Sequence, residues 1–307
     1  MKKILALVLC AIMMFALAIP AMAVIDITAN KTAIAIDGVR EEAYAGPLDI
    51  AAPNRNDVGE FTNAEGAATG KVWTAWEGSN LYFYIEVYDK TPNIDDFNAE
   101  SIELFLDWNA GRGEADEATD ETPFWQIRVS PVEPETLGGY SRTDDGANWS
   151  TSDFEDLTEW KLIPIDGNYA NGYIAEIKVG APAVSSLSEG KQIPFDVQVC
   201  DNTQGEGRDG QMFLDHVGEG IDDNCRWNTA SALQGLITLG GAYVAPTVDA
   251  EPDVPEVGGD DVVVTIPEVQ PPVTSPKTGD SAIILLALGI ALAVSFTVVK
   301  RTRKNKA

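Results

Sequence analysis

Histidine, cysteine and positive charge are all scarce in this 307-residue chain. It holds one histidine, His216, three cysteines, and 21 basic residues against 48 acidic ones. A single histidine excludes a histidine-rich metal centre, and no nucleophile–base pair with a third orienting group stands out. Paired carboxylates could in principle hydrolyse a glycoside, but with 48 acids that criterion selects nothing. No internal repeat and no sustained amphipathic helix pattern is present. Long apolar runs are missing from the body of the chain and occur only at its two ends.

Both ends read as addresses. Met1–Ala23 carries Lys2 and Lys3, an apolar run from Ile4 to Ile19, and a small-x-small close at Ala21-Met22-Ala23. That is the layout of a secretory signal peptide removed after Ala23. Ala282–Val299 is an 18-residue apolar run, just long enough for a transmembrane helix. Lys300, Arg301, Arg303, Lys304 and Lys306 follow at once, so residues 300–307 form a basic tail expected on the cytoplasmic side. The acids all lie between these ends, where 14 basic residues face 48 acidic ones, a formal charge of −34. Such a surface repels nucleic acid and attracts cations.

Residues 275–280 read Ser-Pro-Lys-Thr-Gly-Asp directly before the apolar run. Pro-x-Thr-Gly, a hydrophobic helix and a basic tail, in that order, resemble the sorting signal of Gram-positive cell-wall proteins. The resemblance implies a sortase that cleaves between Thr278 and Gly279 and joins the chain to peptidoglycan. It also implies exported protein at the cell wall that spans the membrane only transiently. Ser275 stands where the family usually has leucine, which leaves the sortase class open.

Between the addresses, residues 24–243 carry short alternating runs divided by Gly, Asn, Asp and Pro clusters. Leu81, Phe83, Ile85 and Val87 alternate with Tyr82, Tyr84, Glu86 and Tyr88; Ile102–Asp107, Trp125–Val129, Tyr173–Val179 and Phe195–Val199 repeat the pattern. This spacing predicts an all-β fold, an antiparallel β-sandwich of jelly-roll type. Residues 244–274 are rich in proline and acid with few core-forming groups, and predict an extended, disordered stalk. Cys10 leaves with the signal peptide, so two cysteines in an exported domain predict one disulfide, Cys200–Cys225.

Ile36-Asp37-Gly38, Ala68–Val72, Leu81–Asp89, Ser101–Asp107, Gln126–Val129, Gly172–Ile177, Phe195–Asn202 and Trp227 with Gly235–Leu239 form an ordered series. The series resembles family 9 carbohydrate-binding modules, β-sandwiches found on xylanases and bacterial surface proteins. The resemblance implies non-catalytic binding of a polysaccharide or oligosaccharide of the xylan or cellulose kind. It implies that Trp76 and Trp227 clamp a terminal sugar while Asn224 bonds its hydroxyls, since pyranose C–H faces pack on aromatic planes and ring-edge hydroxyls need fixed polar partners. Trp73, at odd spacing from Trp76, is expected in the core. Gln126 and Arg128 share one strand face. They line either a polar groove floor or an ordinary solvated sheet face. The family often holds structural calcium, and Asp107, Asn109 and Asp116 in the acidic loop are oxygen donors suited to it. An adhesive or structural module without sugar binding, or a module serving a glycoside hydrolase, is the competing expectation.

Overall fold

In a computed structural model, the structure describes residues 25–246 apart from 55–67, 91, 110–117, 120, 144–145, 184, 204–206 and 218–222. The signal-peptide, sorting-motif and transmembrane readings fall outside these residues, as does the stalk beyond residue 246. Among the described residues, no helix is long and apolar enough to cross a membrane.

The regular elements of the described residues are strands and short 3-10 turns, joined by loops. The strands run β1 (Ile25–Lys31), β2 (Ala45–Ile50), β3 (Ala52–Pro53), β4 (Thr69–Glu77), β5 (Asn80–Tyr88), β6 (Ser101–Asp107) and β7 (Phe124–Val129). They continue as β8 (Gly138–Thr143), β9 (Gly146–Asn148), β10 (Thr158–Pro164), β11 (Tyr173–Gly180), β12 (Gln192–Asp201), β13 (Gly210–Phe213) and β14 (Gly235–Ala242).

One layer has the order β10-β11-β5-β4, and the other β14-β12-β6-β7-β8-β9. Strand β1 joins them, pairing with β14 along most of its length and with β4 at Asn30 and Lys31. Both of those pairings are parallel, so the sandwich is antiparallel except at the strand that links its layers. The inward faces of the two layers form one apolar core. Phe83, Ile85 and Val87 of β5 and Ile177 of β11 meet Leu104 of β6, Ile127 of β7 and Val197 of β12. Phe83 and Phe195 bridge the layers with ring centroids 6.1 Å apart. Alternation along each strand drives this, because only every second side chain can leave water on a given face.

The aromatic hairpin β4–β5 divides its residues between two environments. Val72, Thr74 and Trp76 point inward, opposite Ile85, Phe83 and Leu81 respectively. Trp73 and Ala75 point outward beside Tyr84 and Tyr82. This outer face is covered by residues 34–44. Ile34 and Tyr44 bury Trp73, Tyr82 and Tyr84 in a second apolar cluster, with the Arg40 guanidinium 4.3 Å from the Trp73 ring centre. Glu176 of β11 pins the covering segment. Its Oε2 accepts from the Asp37 and Gly38 amides at 2.8 and 2.6 Å, and its Oε1 from the Tyr44 hydroxyl at 2.8 Å.

Candidate functional site

The outer face of the second layer carries polar side chains in place of this apolar cover. Glu103 of β6 lies directly across from Arg128 of β7, and Phe105 across from Gln126. The Arg128 Nε donates to Glu103 Oε1 at 3.0 Å, a second guanidinium nitrogen reaches the same carboxylate, and a third reaches Asn98 Oδ1. Arg208, just before β13, brings a second guanidinium to 3.6 Å from Glu103 Oε1. Two guanidinium groups thus share one carboxylate on this face.

Above that floor stands an aromatic group. Trp149, immediately after β9, is 63% exposed. Its ring centroid lies 5.7 Å from that of Trp227 at an interplanar angle of 35°. Both rest on buried Tyr140 of β8, at 4.7 and 5.8 Å. Glu103, Gln126, Arg128, Trp149, Arg208, Asn224 and Trp227 together line an open cleft of about 160 Å³. That is below the several hundred Å³ of a drug-sized pocket, and suits a single ring or a chain end. Gln126 is 1% exposed, and its Oε1 meets no hydrogen-bond donor among the described residues. A buried acceptor without a donor is costly, and a ligand hydroxyl would relieve it.

Asn224 and Trp227 are delivered by the 3-10 turn Asp223–Trp227. Arg226 in the same turn is fully buried, donates from Nε to Asp196 Oδ2 of β12 at 2.7 Å, and also reaches the Asp223 and Asp215 carbonyls. Its guanidinium lies 3.9 Å from the Phe213 ring centre. Asn224 Oδ1 accepts from Gln211 Nε2 at 2.9 Å, so this amide is held toward the cleft by β13.

Trp76 is elsewhere. It is 2% exposed inside the sandwich core, and its Nε1 donates to the Gly240 carbonyl at 2.9 Å. The inward face of β4 buries it, so it cannot touch a ligand, and no clamp of Trp76 with Trp227 forms. The two-residue offset that places Trp76 with Thr74 and Val72 also sends Trp73 outward, though covered. Trp149 was not among the residues the sequence singled out. Its signal was an isolated tryptophan in Gly146-Ala147-Asn148-Trp149-Ser150, a polar run with no apolar alternation to bury it.

The expected disulfide is absent as well: Cys200 and Cys225 are both thiols. Cys200 lies on the floor face of β12, fully buried, with Gln198 Nε2 on its Sγ at 2.9 Å. Burial pushes its pKa up to about 11, against the opposing pull of the nearby Arg208 guanidinium. In the acidic loop, Asp107 Oδ1 accepts from the Asn109 amide at 2.9 Å, a local turn contact, while Asp116 lies outside the described residues. A different oxygen cluster is assembled by the fold: carboxylate oxygens of Asp89, Glu100 and Asp201 all lie within 4.8 Å of one another.

The sequence profile of the family described as "Carbohydrate family 9 binding domain-like" matches residues 36–239. The chain belongs to this family. The family 9 domain here is 25% identical over 203 residues to "Endo-1,4-beta-xylanase A" of Thermoanaerobacterium saccharolyticum, covering 64% of this chain and 14% of the xylanase. It therefore spans about one-seventh of that relative's length. In fold, it resembles a family 9 carbohydrate-binding module from Caldicellulosiruptor kristjanssonii solved with cellotriose, with a TM-score of 0.51 and 19% identity over 74% of this chain and all of that one. The structure of a Caldicellulosiruptor kristjanssonii family 9 module with glucose gives the same TM-score at 18% identity, over 72% of this chain and all of that one.

Proposed function

We propose that the family 9 domain binds glycan without catalysis, holding the end of a xylan- or cellulose-like chain against Trp149 and Trp227. The observation that carries this reading is the convergence of Trp227, Asn224, Gln126 and Arg128 with Trp149 in one cleft whose buried Gln126 Oε1 meets no donor among the described residues. A sugar ring supplies what the cleft is missing: a C–H face for the tryptophans and hydroxyls for the amides and guanidinium. A ring held between two aromatic planes needs a gap of roughly 7–8 Å, two carbon–carbon contacts. Trp149 and Trp227, with centroids 5.7 Å apart, are packed on one another, so they act as a stacking platform, or part to admit a ring. The caldicellulosiruptor modules solved with cellotriose and glucose support the ligand class. Calorimetric titration with cello- and xylo-oligosaccharides tests it. Truncating Trp227 or Trp149 to alanine should weaken binding about 30-fold or more, a loss of roughly 2 kcal/mol. Unchanged affinity in both variants rejects the site.

In the same proposal the domain works outside the cell. It is exported by the segment 1–23, cleaved by a sortase at Thr278–Gly279, joined to peptidoglycan and held away from the wall by residues 244–274. There it retains polysaccharide for hydrolases acting beside it. Substituting Thr278 by alanine should move the protein from the wall fraction to the membrane fraction. Equal wall anchoring of that variant counts against sortase processing.

A further inference from the structure

The segment that covers the outer face of β4 and β5 carries three adjacent ionisable residues, Arg40, Glu41 and Glu42. Glu176 pins this segment through the Asp37 and Gly38 amides, and the Tyr44 amide closes a turn on the Glu41 carbonyl at 3.2 Å. With Tyr44, Trp73 and Tyr243, the three residues line an open groove of about 460 Å³, larger than the glycan cleft. Tyr243, just past β14, is fixed by its amide, which donates to the Lys31 carbonyl at 3.2 Å. Pro47 and Pro246 complete the apolar part of the rim. The groove is built on the first layer, whereas the cleft at Trp227 is built on the second.

Two opposite charges in this groove go unanswered by the protein. The Arg40 guanidinium lies 4.3 Å from the Trp73 ring centre, and among the described residues it makes no hydrogen bond or ion pair. The ring contact holds the guanidinium in place, and its planar fork keeps N–H donors at the edge. Glu41 Oε2 is enclosed, and no donor of the described residues meets it. A carboxylate oxygen in that position is costly until a donor arrives. Glu41 is half-buried and its terminal torsion is soft, so either oxygen can turn to a donor seated in the groove. Glu42 is exposed at the same wall.

We infer that this groove is a second binding site, for a zwitterion of the amino-acid or short-peptide class. The ligand's carboxylate sits on the edge of the Arg40 guanidinium, and its ammonium group faces Glu41 and Glu42. The charge pattern selects this class. A simple anion meets two carboxylates for one guanidinium, a simple cation leaves Arg40 unanswered, and a neutral sugar compensates neither charge. Bonds in which both partners are ionised are roughly twice as strong as neutral ones. Tyr243 and the two prolines supply apolar contact for the ligand's carbon atoms. The site shares no residue with the glycan cleft and does not depend on sugar binding there.

Ligand-observed NMR titration of the full chain with alanyl-alanine tests the site, alongside the N-acetylated and C-amidated forms of the dipeptide. The free dipeptide should bind with a dissociation constant of about 1 mM or tighter. Acetylation removes the ammonium and amidation the carboxylate, so each should weaken binding by about tenfold or more. Arg40→Gln and Glu41→Gln should weaken the free dipeptide to a similar degree, while cellotriose titrates as it does with the wild type. Against the amidated form, Arg40→Gln should cost nothing further, because the bond it removes is already gone. Should either variant fail to fold, the capped dipeptides on the wild type decide the matter by themselves. No binding of the free dipeptide up to about 10 mM, or equal binding of all three forms, overturns the assignment. Displacement of the dipeptide by cellotriose overturns it too, since the groove would then be a sugar site.

Discussion

Arg226 Nε donates to Asp196 Oδ2 at 2.7 Å, and both side chains are fully buried although thirty positions separate them. This pair docks the Asp223–Trp227 turn onto β12, and the same turn presents Asn224 and Trp227 to the cleft. Asp196 is further fixed by the Gln234 and Val197 amides, at 3.1 and 2.8 Å. The aromatic platform is thus held by a buried ion pair beneath it. Removing the cation strands a carboxylate in the interior. Arg226→Ala should cost about 3–5 kcal/mol in denaturant unfolding. A loss below about 1 kcal/mol would show that the turn is held by something else.

In the proposed reading, Trp76 answers to stability and Trp227 to affinity. Trp76→Ala opens a cavity between the layers and should cost about 3–5 kcal/mol. Trp76→Phe should fold and bind oligosaccharide as the wild type does. Affinity lost in that folded variant would return Trp76 to the binding site.

Gln126 lies beneath the cleft with an acceptor that no protein donor meets among the described residues. Gln126→Leu keeps the volume and removes the acceptor. Oligosaccharide affinity should fall about tenfold, near 1.4 kcal/mol, while melting temperature holds or rises, since a buried polar atom without a donor is gone. Equal affinity in the two proteins would remove Gln126 from the site.

Glu176 accepts three hydrogen bonds, from two backbone amides and the Tyr44 hydroxyl. Burial raises its pKa above the ordinary carboxylate value, against the opposing pull of these donors. Glu176→Leu leaves both amides and the Tyr44 hydroxyl without their acceptor and should cost about 2 kcal/mol or more. Protease sensitivity should rise in residues 34–44 first, because this segment loses its pin. Unfolding at the wild-type midpoint would show that the aromatic cluster alone holds it.

Cys200 and Cys225 are thiols of unequal reactivity. The Cys200 pKa of about 11, set by burial, leaves little thiolate at pH 8. A thiol reagent should modify one site, Cys225, in the native protein and two in denaturant. Zero reactive thiols under denaturing, non-reducing conditions would mean that the pair is oxidised after all.

The strands were legible because their chemistry is local. Alternation in Leu81–Val87, Ile102–Leu106 and Phe195–Val199 marks one buried face whatever the neighbours are. Part of the site was legible too: polar residues around Trp227 made it a poor core residue, and Gln126 and Arg128 share a face by spacing of two. Trp76 was not, because a tryptophan on an alternating strand looks the same whether its face meets a second sheet or a ligand. Only the packing of β4 against the other layer decided that Trp76 is core and that Trp73 lies beneath residues 34–44.

The amino-acid order by itself determined the strand series, the inward and outward faces of each strand, and the acidic balance, since each depends on residues within one short window. Tertiary structure decided which separated residues meet: Trp149 with Trp227, Arg226 with Asp196, and Asp89 and Glu100 with Asp201. Those contacts follow from sheet register and layer packing, where one strand's position depends on all the others, and no local window contains that information.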